Sequence, residues 1–212
     1  KLSENLFKGL SPWMQRLPGG LIHVNVVGCA LFAAISGSSA ATVATVGKMS
    51  IPELRKRNYP EKILLGSLAG SGTLGLLIPP SIILIIYGVA VQESIAKLFI
   101  AGIIPGIMIA LIFMSYVIIW SLINKSEMPK IFEKYSFFEK VKRSKQLLPV
   151  ILLILAVIGS IYTGIATATE AASLGVVGAL ILSYFQKSLN LDTFKSSLLG
   201  ATKTSCMIAF IL

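Results

Sequence analysis

The sequence predicts an all-α integral membrane fold with several membrane-spanning helices, a re-entrant hairpin and broken helices. Three observations support this prediction. The 212 residues are 55% hydrophobic and only 13% charged, whereas soluble domains carry about 25% charged residues. The apolar residues form long segments, and several segments are interrupted by serine, glycine or proline. A soluble globule of this size could not bury so much apolar surface.

The first element is an amphipathic interfacial helix over residues 1–20. Its leucines alternate with charged residues at a spacing that suits a helix lying at the membrane surface. Pro18, Gly19 and Gly20 are expected to end it. His23 stands close to the start of the next segment, so we expect it at the membrane interface.

Residues 21–47 contain no acidic or basic side chain, and we interpret them as a re-entrant hairpin with its tip at 36–39. The tip is small and polar, and non-helical backbone at membrane depth is tolerated where protein or a water-filled cavity surrounds it. The alternative is a simple span. A span would place residues 1–20 outside the cell, whereas a hairpin leaves them in the cytoplasm with the other basic segments.

Two membrane segments follow. Residues 63–91 predict a broken transmembrane helix, interrupted at 70–73 and again at Pro79 and Pro80. The second of these prolines removes a backbone donor and holds the first away from helical geometry. Residues 98–123 predict a continuous transmembrane helix.

The last part of the chain alternates between polar and apolar segments. Residues 124–146 predict a cytoplasmic connection, and residues 147–185 predict two transmembrane segments around a break at 163–170. Residues 198–212 predict the start of a further transmembrane helix. Because the sequence stops inside this apolar segment, we expect an internal fragment of a longer membrane protein.

The positive charge is concentrated in connections. The net charge is +10, and much of it lies at 48–62 and 124–146. Neither cluster has the interleaved stacking aromatics of a nucleic-acid surface, so we expect no nucleic-acid partner. Cytoplasmic loops of membrane proteins collect lysine and arginine, which explains the clusters more simply.

The breaks provide the candidate ion-binding groups. Unwound helices in transporters expose carbonyls that bind Na⁺, and the serines at 36–39 add hydroxyl oxygens. We expect Na⁺ at Ser36, Ser38 and Ser39, and an ion- or substrate-lining role for the proline break. Tight packing of small residues and a simple kink are the alternatives. The candidates at this stage are Asn25, which would cap or brace the site, Ser36, Gly37, Ser38, Ser39, Pro79, Pro80 and Ser81.

No enzymatic motif is present. The only histidine is His23, and the apolar segments contain no closely spaced pair of carboxylates. We therefore expect neither catalysis nor a cofactor. Glu170 follows Thr169 between two apolar segments, so Thr167, Thr169 and Glu170 are candidates either for a helix cap or for an ion or gating role.

Several motifs, in order, resemble the large membrane subunit of TRAP (tripartite ATP-independent periplasmic) transporters. The match extends over nearly the whole chain. Ala168 departs from the pattern, because the family often has proline there, and this would leave the break less rigid. The matching segments are 17–25 (LPGGLIHVN), 36–42 (SGSSAAT), 58–60 (NYP), 75–81 (GLLIPPS), 101–106 (AGIIPG) and 163–172 (TGIATATEAA).

The resemblance implies a multi-span helical transporter that forms part of an inverted-repeat elevator fold. Residues 21–47 would be a re-entrant hairpin of the mobile transport domain, and 63–91 the adjacent broken helix. Gly72 and Thr73 would join the residues up to Ser81 in a sodium site and one wall of the substrate site.

The resemblance also implies a function. It is the sodium-coupled import of an organic acid, such as a C4-dicarboxylate or sialic acid, across the bacterial inner membrane. A periplasmic solute-binding protein would deliver the substrate, and a small membrane subunit, separate or fused, would brace the large one. Na⁺ would be the coupling ion.

Two alternatives remain open. A single-component sodium/dicarboxylate symporter would use similar hairpins without a binding protein. A non-transporting structural membrane subunit would use the broken segments only for packing. No lysine or arginine lies in 21–47 or 63–91, so these segments contain no obvious cationic partner for an acidic substrate.

Overall fold

The computed structural model describes residues 2–129 and 136–211, and these contain helices and turns but no strand. Residues 130–135 of the predicted cytoplasmic connection, and the ends of segments 1–20 and 198–212, lie outside the described residues. The helices of the described part are α1 (Leu2–Met14), α2 (His23–Ser36), α3 (Ser39–Lys56), α4 (Glu61–Gly72), α5 (Leu74–Leu77), α6 (Ile82–Ala90), α7 (Ile95–Ile123), α8 (Phe137–Ser144), α9 (Leu148–Tyr162), α10 (Ala168–Phe185) and α11 (Leu191–Ile211).

Helix α1 ends at Met14, before the predicted Pro-Gly-Gly stop. Part of its apolar stripe packs against protein. Leu6 and Leu10 are buried, and they pack in one cluster with Val24, Leu54 and other residues. An amphipathic stripe can be covered by protein as well as by lipid, and here the neighbouring helices cover it.

The prediction of an interfacial His23 is wrong. The side chain is fully buried, and its Nε2 donates to the carbonyl oxygen of Pro18 at 2.7 Å. The chain turns sharply between the two residues, through Gly19 at φ 98° and Gly20 at φ 54°. The imidazole therefore fastens this turn to the start of α2.

Helices α2, α3 and α4 form the centre of the protein. Helix α2 packs against both α3 and α4, and α3 also contacts α4. Helix α3 runs to Lys56, past residue 47, because Leu54 on its last turns is fully buried. Part of the predicted basic connection at 48–62 is therefore helical.

Helices α4, α5 and α6 follow one another through the broken segment. The backbone leaves helical geometry at Ile78, with ψ 121°, and Ser81 is extended before α6 begins. Helix α7 then runs unbroken from Ile95 to Ile123 and packs along α5 and α6. Its outward side chains, such as Ile104, are exposed, as expected for a helix that faces lipid.

Three stretches of helix in the described residues are long and apolar enough to cross a membrane: Glu61–Ala90, Ile95–Ile123 and Ala168–Phe185. A fourth is possible by length if α8 and α9, which meet at 54°, are counted together. Helices α9 and α10 pack against each other, and α9 also contacts α7.

Candidate ion and substrate site

The structure brings together the two breaks that the sequence predicted. Gly37 separates α2 from α3 and has φ 58°, in the left-handed region. Its carbonyl oxygen accepts a hydrogen bond from the backbone N–H of Ile82 at 3.2 Å. A Cβ atom on Gly37 would lie 2.8 Å from the carbonyl oxygen of Pro80. Main chain therefore meets main chain across the two breaks.

The other side of the tip rests on α5. A Cβ atom on Gly75 would lie 2.8 Å from Ser38 C and from Ser39 N, and 2.9 Å from Ser38 O. A Cβ atom on Gly72 would overlap the side chain of Val43. Both glycines are buried, and the absence of side chains at these positions allows the two segments to approach so closely. We name the set formed by 36–39, 72–75 and 78–82 the two-break contact.

An oxygen cluster occupies the base of the tip. The hydroxyls of Ser36 and Thr42 lie 2.8 Å apart. The Thr42 hydroxyl donates to the carbonyl oxygen of Ser38 at 2.7 Å, and Ser36 Oγ lies 3.3 Å from the same oxygen. Ser38 Oγ caps α3 by accepting from the N–H of Ala41 at 3.5 Å. Three oxygens of different residues thus converge near the end of α2.

Thr42 belongs to the oxygen cluster but was not among the candidate residues predicted from the sequence. Its side chain is fully buried, and it links Ser36 and Ser38. The signal was present in the sequence, because Thr42 lies four residues after Ser38, and this spacing lets a threonine hydroxyl reach the carbonyl oxygen one turn earlier.

Helix N-termini and C-termini, which have partial charges of opposite sign, meet at the two-break contact. Helices α2 and α5 end there, and α3 and α6 begin there. Helix C-termini favour cations and helix N-termini favour anions, because the peptide dipoles align along the helix. A site with both kinds of terminus can hold a cation and an anionic group side by side, as in transporters with broken helices.

The proline break is closed by polar and apolar contacts. Ser81 is fully buried, and its hydroxyl donates to the carbonyl oxygen of Leu76 at 2.6 Å. This hydrogen bond takes the place of the backbone hydrogen bond that the Leu76 carbonyl would accept in a continuous helix. Helix α7 covers the back of the break, where a Cβ on Gly102 would lie 2.9 Å from the carbonyl oxygen of Leu77 and 3.4 Å from Pro79 Cγ. The break is thus held between the tip and α7.

Asn25 is not at the tip. It lies near the start of α2, so eleven residues of helix separate it from Ser36, or roughly 16 Å at the helical rise. Its Nδ2 donates to Ser67 Oγ at 3.0 Å and to the carbonyl oxygen of Leu64 at 3.2 Å. Asn25 therefore braces α2 against α4, and its fully buried Oδ1 has no hydrogen-bond partner among the described residues.

The structure does not bring Thr73 into the oxygen cluster. Its side chain is exposed, and its hydroxyl donates to the carbonyl oxygen of Gly70, in the last turn of α4, at 2.7 Å. Ser39 contributes its backbone to the two-break contact through the approach of Gly75.

Thr167 and Glu170 form a capping box at the start of α10. The N–H of Thr167 donates to Glu170 Oε2 at 2.8 Å, and the N–H of Glu170 donates to Thr167 Oγ1 at 3.3 Å. Thr169 contributes its carbonyl oxygen, which accepts from Ser173 Oγ at 3.3 Å. Of the two interpretations left open above, this geometry favours the helix cap.

A cavity of about 370 Å³ separates the two-break contact from α9 and α10. Pro80 and Ala34 line one side, and residues of α9 and α10 such as Val157 and Ala172 line the other. Its wall contains no charged side chain, so the cavity offers an acidic substrate no ion pair. The described residues also contain no group of three His, Cys, Asp or Glu that could hold a metal ion.

We expect the Thr42→Val substitution to weaken the tip. Valine keeps the shape but leaves Ser36 Oγ and the Ser38 carbonyl short of a partner, which costs about 1–3 kcal/mol for a buried polar group. The free energy of unfolding of the full-length protein is the measurement. Thr202→Val is the control, because the exposed Thr202 hydroxyl bonds only within α11. Equal effects of the two substitutions would contradict a special role for Thr42.

Broken apolar helices whose N- and C-termini meet inside the apolar part are typical of helical membrane transporters. The whole chain, residues 1–212, matches the family model described as "Tripartite ATP-independent periplasmic transporter, DctM component". The chain belongs to this family.

Curated relatives agree with this assignment. The C4-dicarboxylate TRAP transporter large permease protein DctM of Pseudomonas aeruginosa is 38% identical over 196 residues, covering 92% of this chain and 45% of the relative. The isethionate TRAP transporter permease protein DctMQ of Oleidesulfovibrio alaskensis is 35% identical, covering 100% of this chain and 33% of the relative. The sialic acid TRAP transporter permease protein SiaT of Haemophilus influenzae is 34% identical, covering 100% and 34%. The chain thus spans less than half the length of these relatives.

Proposed function

We propose that this chain is part of the large permease of a TRAP transporter that imports an organic acid together with Na⁺. The observation that supports the proposal best is the two-break contact, where Ile82 N–H donates to the Gly37 carbonyl oxygen at 3.2 Å. It joins two interrupted helices inside the apolar part of the protein, an arrangement that packing alone does not require and that transporters use at their binding sites.

The oxygen cluster is the proposed sodium site. Ser36 Oγ, Thr42 Oγ1 and the carbonyl oxygen of Ser38 lie within 3.3 Å of one another. Hydroxyl and carbonyl oxygens are the ligands that hard cations prefer. The C-terminal end of α2 adds a favourable dipole. Ser39, the remaining serine of the tip, would complete the site from its backbone or side chain.

The substrate would bind where the N-termini of α3 and α6 point. Relatives are named for C4-dicarboxylate, sialic acid and isethionate, all of them acids, so we propose a small organic acid. A periplasmic binding protein would deliver it. A small membrane subunit would accompany the large one, and the name DctMQ of one relative suggests a fused form of that subunit. The location would be the bacterial inner membrane.

An elevator movement is part of the proposal. Helices α2 to α6 would form the mobile unit, with α2 and the start of α3 as its re-entrant hairpin. Helix α2 with its preceding turn covers only Gly20–Ser36, which is short for a span of about 20 residues. The apolar cavity between this unit and α9 and α10 would allow the two parts to slide.

The decisive test is uptake of radiolabelled organic acids by the full-length parent protein in proteoliposomes. The assay compares conditions with and without a sodium gradient, and with and without the neighbouring binding protein. We expect uptake only when both are present. Uptake that needs sodium alone would indicate a single-component symporter. No uptake of any acid by folded protein would favour a structural subunit.

Hydroxyl substitutions test the sodium site. We expect Ser36→Ala or Thr42→Val to raise the sodium concentration that half-saturates uptake by about tenfold, because each removes one hydroxyl ligand of the proposed site worth roughly 1.4 kcal/mol. Ser173→Ala, on α10 away from the tip, is the control. Unchanged sodium dependence in both tip variants would contradict the assignment.

Restoring helix across the proline break tests the broken-helix role. In the Pro79→Ala/Pro80→Ala variant both residues regain helical propensity, at about 3 kcal/mol per proline. Ile78 to Ser81 would then tend to continue α5, which withdraws Ile82 N–H from Gly37. We expect uptake to fall at least tenfold while the protein stays folded. Normal uptake would show that the break is not required.

A further inference from the structure

Helix α8 lies between the apolar helices α7 and α9. Helix α7 ends at Ile123 and α9 begins at Leu148, so the described segment between them, which includes α8, lies at the end where both helices leave the apolar part. The axis of α8 makes an angle of 54° with that of α9. Four basic residues fall between 140 and 145, which is too much charge for the hydrocarbon core. These facts place α8 at the membrane surface.

One face of α8 is fixed to the protein. The indole of Trp13 on α1 donates from Nε1 to Ser144 Oγ at 2.8 Å. The Trp13 ring also meets Phe137 edge-on, with centroids 6.2 Å apart, and Lys140 Nζ lies 5.3 Å from the centroid of the same ring. Lys140 is buried by this contact. Helix α8 is therefore held against α1.

The adjacent face of α8 is exposed and combines apolar and basic side chains. Phe138 is 78% exposed, and Val141 is 40% exposed. Lys142 and Lys145 are exposed as well. The spacing 138, 141, 142 and 145 places all four on one side of a helix. A face made of apolar side chains beside lysines suits neither bulk water nor the interior of a bilayer.

We infer that this face binds the headgroups of anionic phospholipids. Phe138 and Val141 insert at the level of the acyl-chain boundary, and Lys142 and Lys145 extend from it to the lipid phosphates, because lysine can bury its stem while its ammonium stays among polar groups. Basic residues near the surface are attracted to anionic lipid. The occupant is a lipid because α8 lies between two apolar helices, α7 and α9, near the end where both leave the apolar part.

The test uses the full-length protein in mixed micelles, with phosphatidylglycerol titrated into phosphatidylcholine. The readout is the apparent Tm. We expect phosphatidylglycerol to raise the Tm, and Lys142→Gln/Lys145→Gln to raise the half-saturating phosphatidylglycerol fraction at least tenfold. The matched control is Lys56→Gln/Lys62→Gln, which removes the same charge from exposed residues of the other basic segment and should shift the titration much less.

Three results would overturn the inference. They are an unchanged titration in Lys142→Gln/Lys145→Gln, an equal loss in the control, and an equal Tm rise with soluble glycerol phosphate, which would indicate a free-phosphate site. The charge-conserving Lys142→Arg/Lys145→Arg variant should keep the lipid response. If the double glutamine variant does not fold, the same titration is made with Lys142→Arg/Lys145→Arg and with the single Lys142→Gln substitution. An unchanged titration in the Lys142→Gln variant counts against the inference.

Discussion

Gly75→Ala is expected to destabilise the protein and abolish uptake, although alanine normally stabilises helices. The new Cβ would lie 2.8 Å from two backbone atoms of Ser38 and Ser39, and backbone cannot move aside as a flexible side chain can. Overpacking of this kind costs about 1–3 kcal/mol. Relieving the overpacking would require the tip to move away from α5. The substitution would therefore disrupt the candidate ion and substrate site as well as lower stability.

Gly66→Ala is the matched control for this prediction. Gly66 lies on α4 of the same broken segment, and a Cβ there would have no neighbour within 4 Å. Alanine at this position should therefore stabilise the helix by up to about 1 kcal/mol. The two substitutions are chemically identical and should have opposite signs in thermal unfolding of the full-length protein. The same sign for both would contradict the close approach at Gly75.

Gly37→Ala is expected to have the second large effect. The left-handed backbone at φ 58° disfavours any residue with a Cβ by roughly 1–2 kcal/mol. The added Cβ would also lie 2.8 Å from the carbonyl oxygen of Pro80. Both effects act on the residue whose own carbonyl accepts from Ile82, so we expect at least a tenfold loss of uptake together with a lower Tm.

Gly164→Ala separates the cost of the left-handed backbone from the cost of the close contact with Pro80. Gly164 also has a positive φ, 71°, but a Cβ there would meet nothing within 4 Å. Its substitution should cost only the conformational term, and uptake should persist. If the two variants lose the same stability and both keep uptake, then the contact of Gly37 with Pro80 is of no consequence for function.

The positions of the breaks could be predicted from the sequence, but their meeting could not. Ser-Gly-Ser-Ser and Pro-Pro-Ser stand out because polar and helix-breaking residues are costly inside apolar segments. Nothing local says that Gly75 lies against Ser38, since a close approach between segments more than thirty residues apart depends on how α2, α3 and α4 pack. Composition was enough to predict a membrane protein, whereas the contact between the two breaks depends on tertiary packing.

The sequence left several details of packing open. Amphipathic spacing does not say whether protein or lipid covers an apolar face, so it could not show that Leu6 and Leu10 pack against α2 and α3 or that His23 is buried. Thr42 was left out because it lies one turn beyond the obvious serine cluster. Thr73 was included because it is close in sequence to the break, and its hydroxyl bonds back to Gly70.

The two-break contact is built chiefly from backbone atoms, and this has a consequence for how the chain can vary. The N–H of Ile82 and the carbonyl of Gly37 are present whatever side chains these positions bear, so this hydrogen bond is largely insensitive to residue type. The space around it does depend on residue type. Relatives should therefore exchange the flanking aliphatic side chains of α6 freely, while positions where backbone touches backbone are restricted by volume and, at Gly37, also by its left-handed backbone.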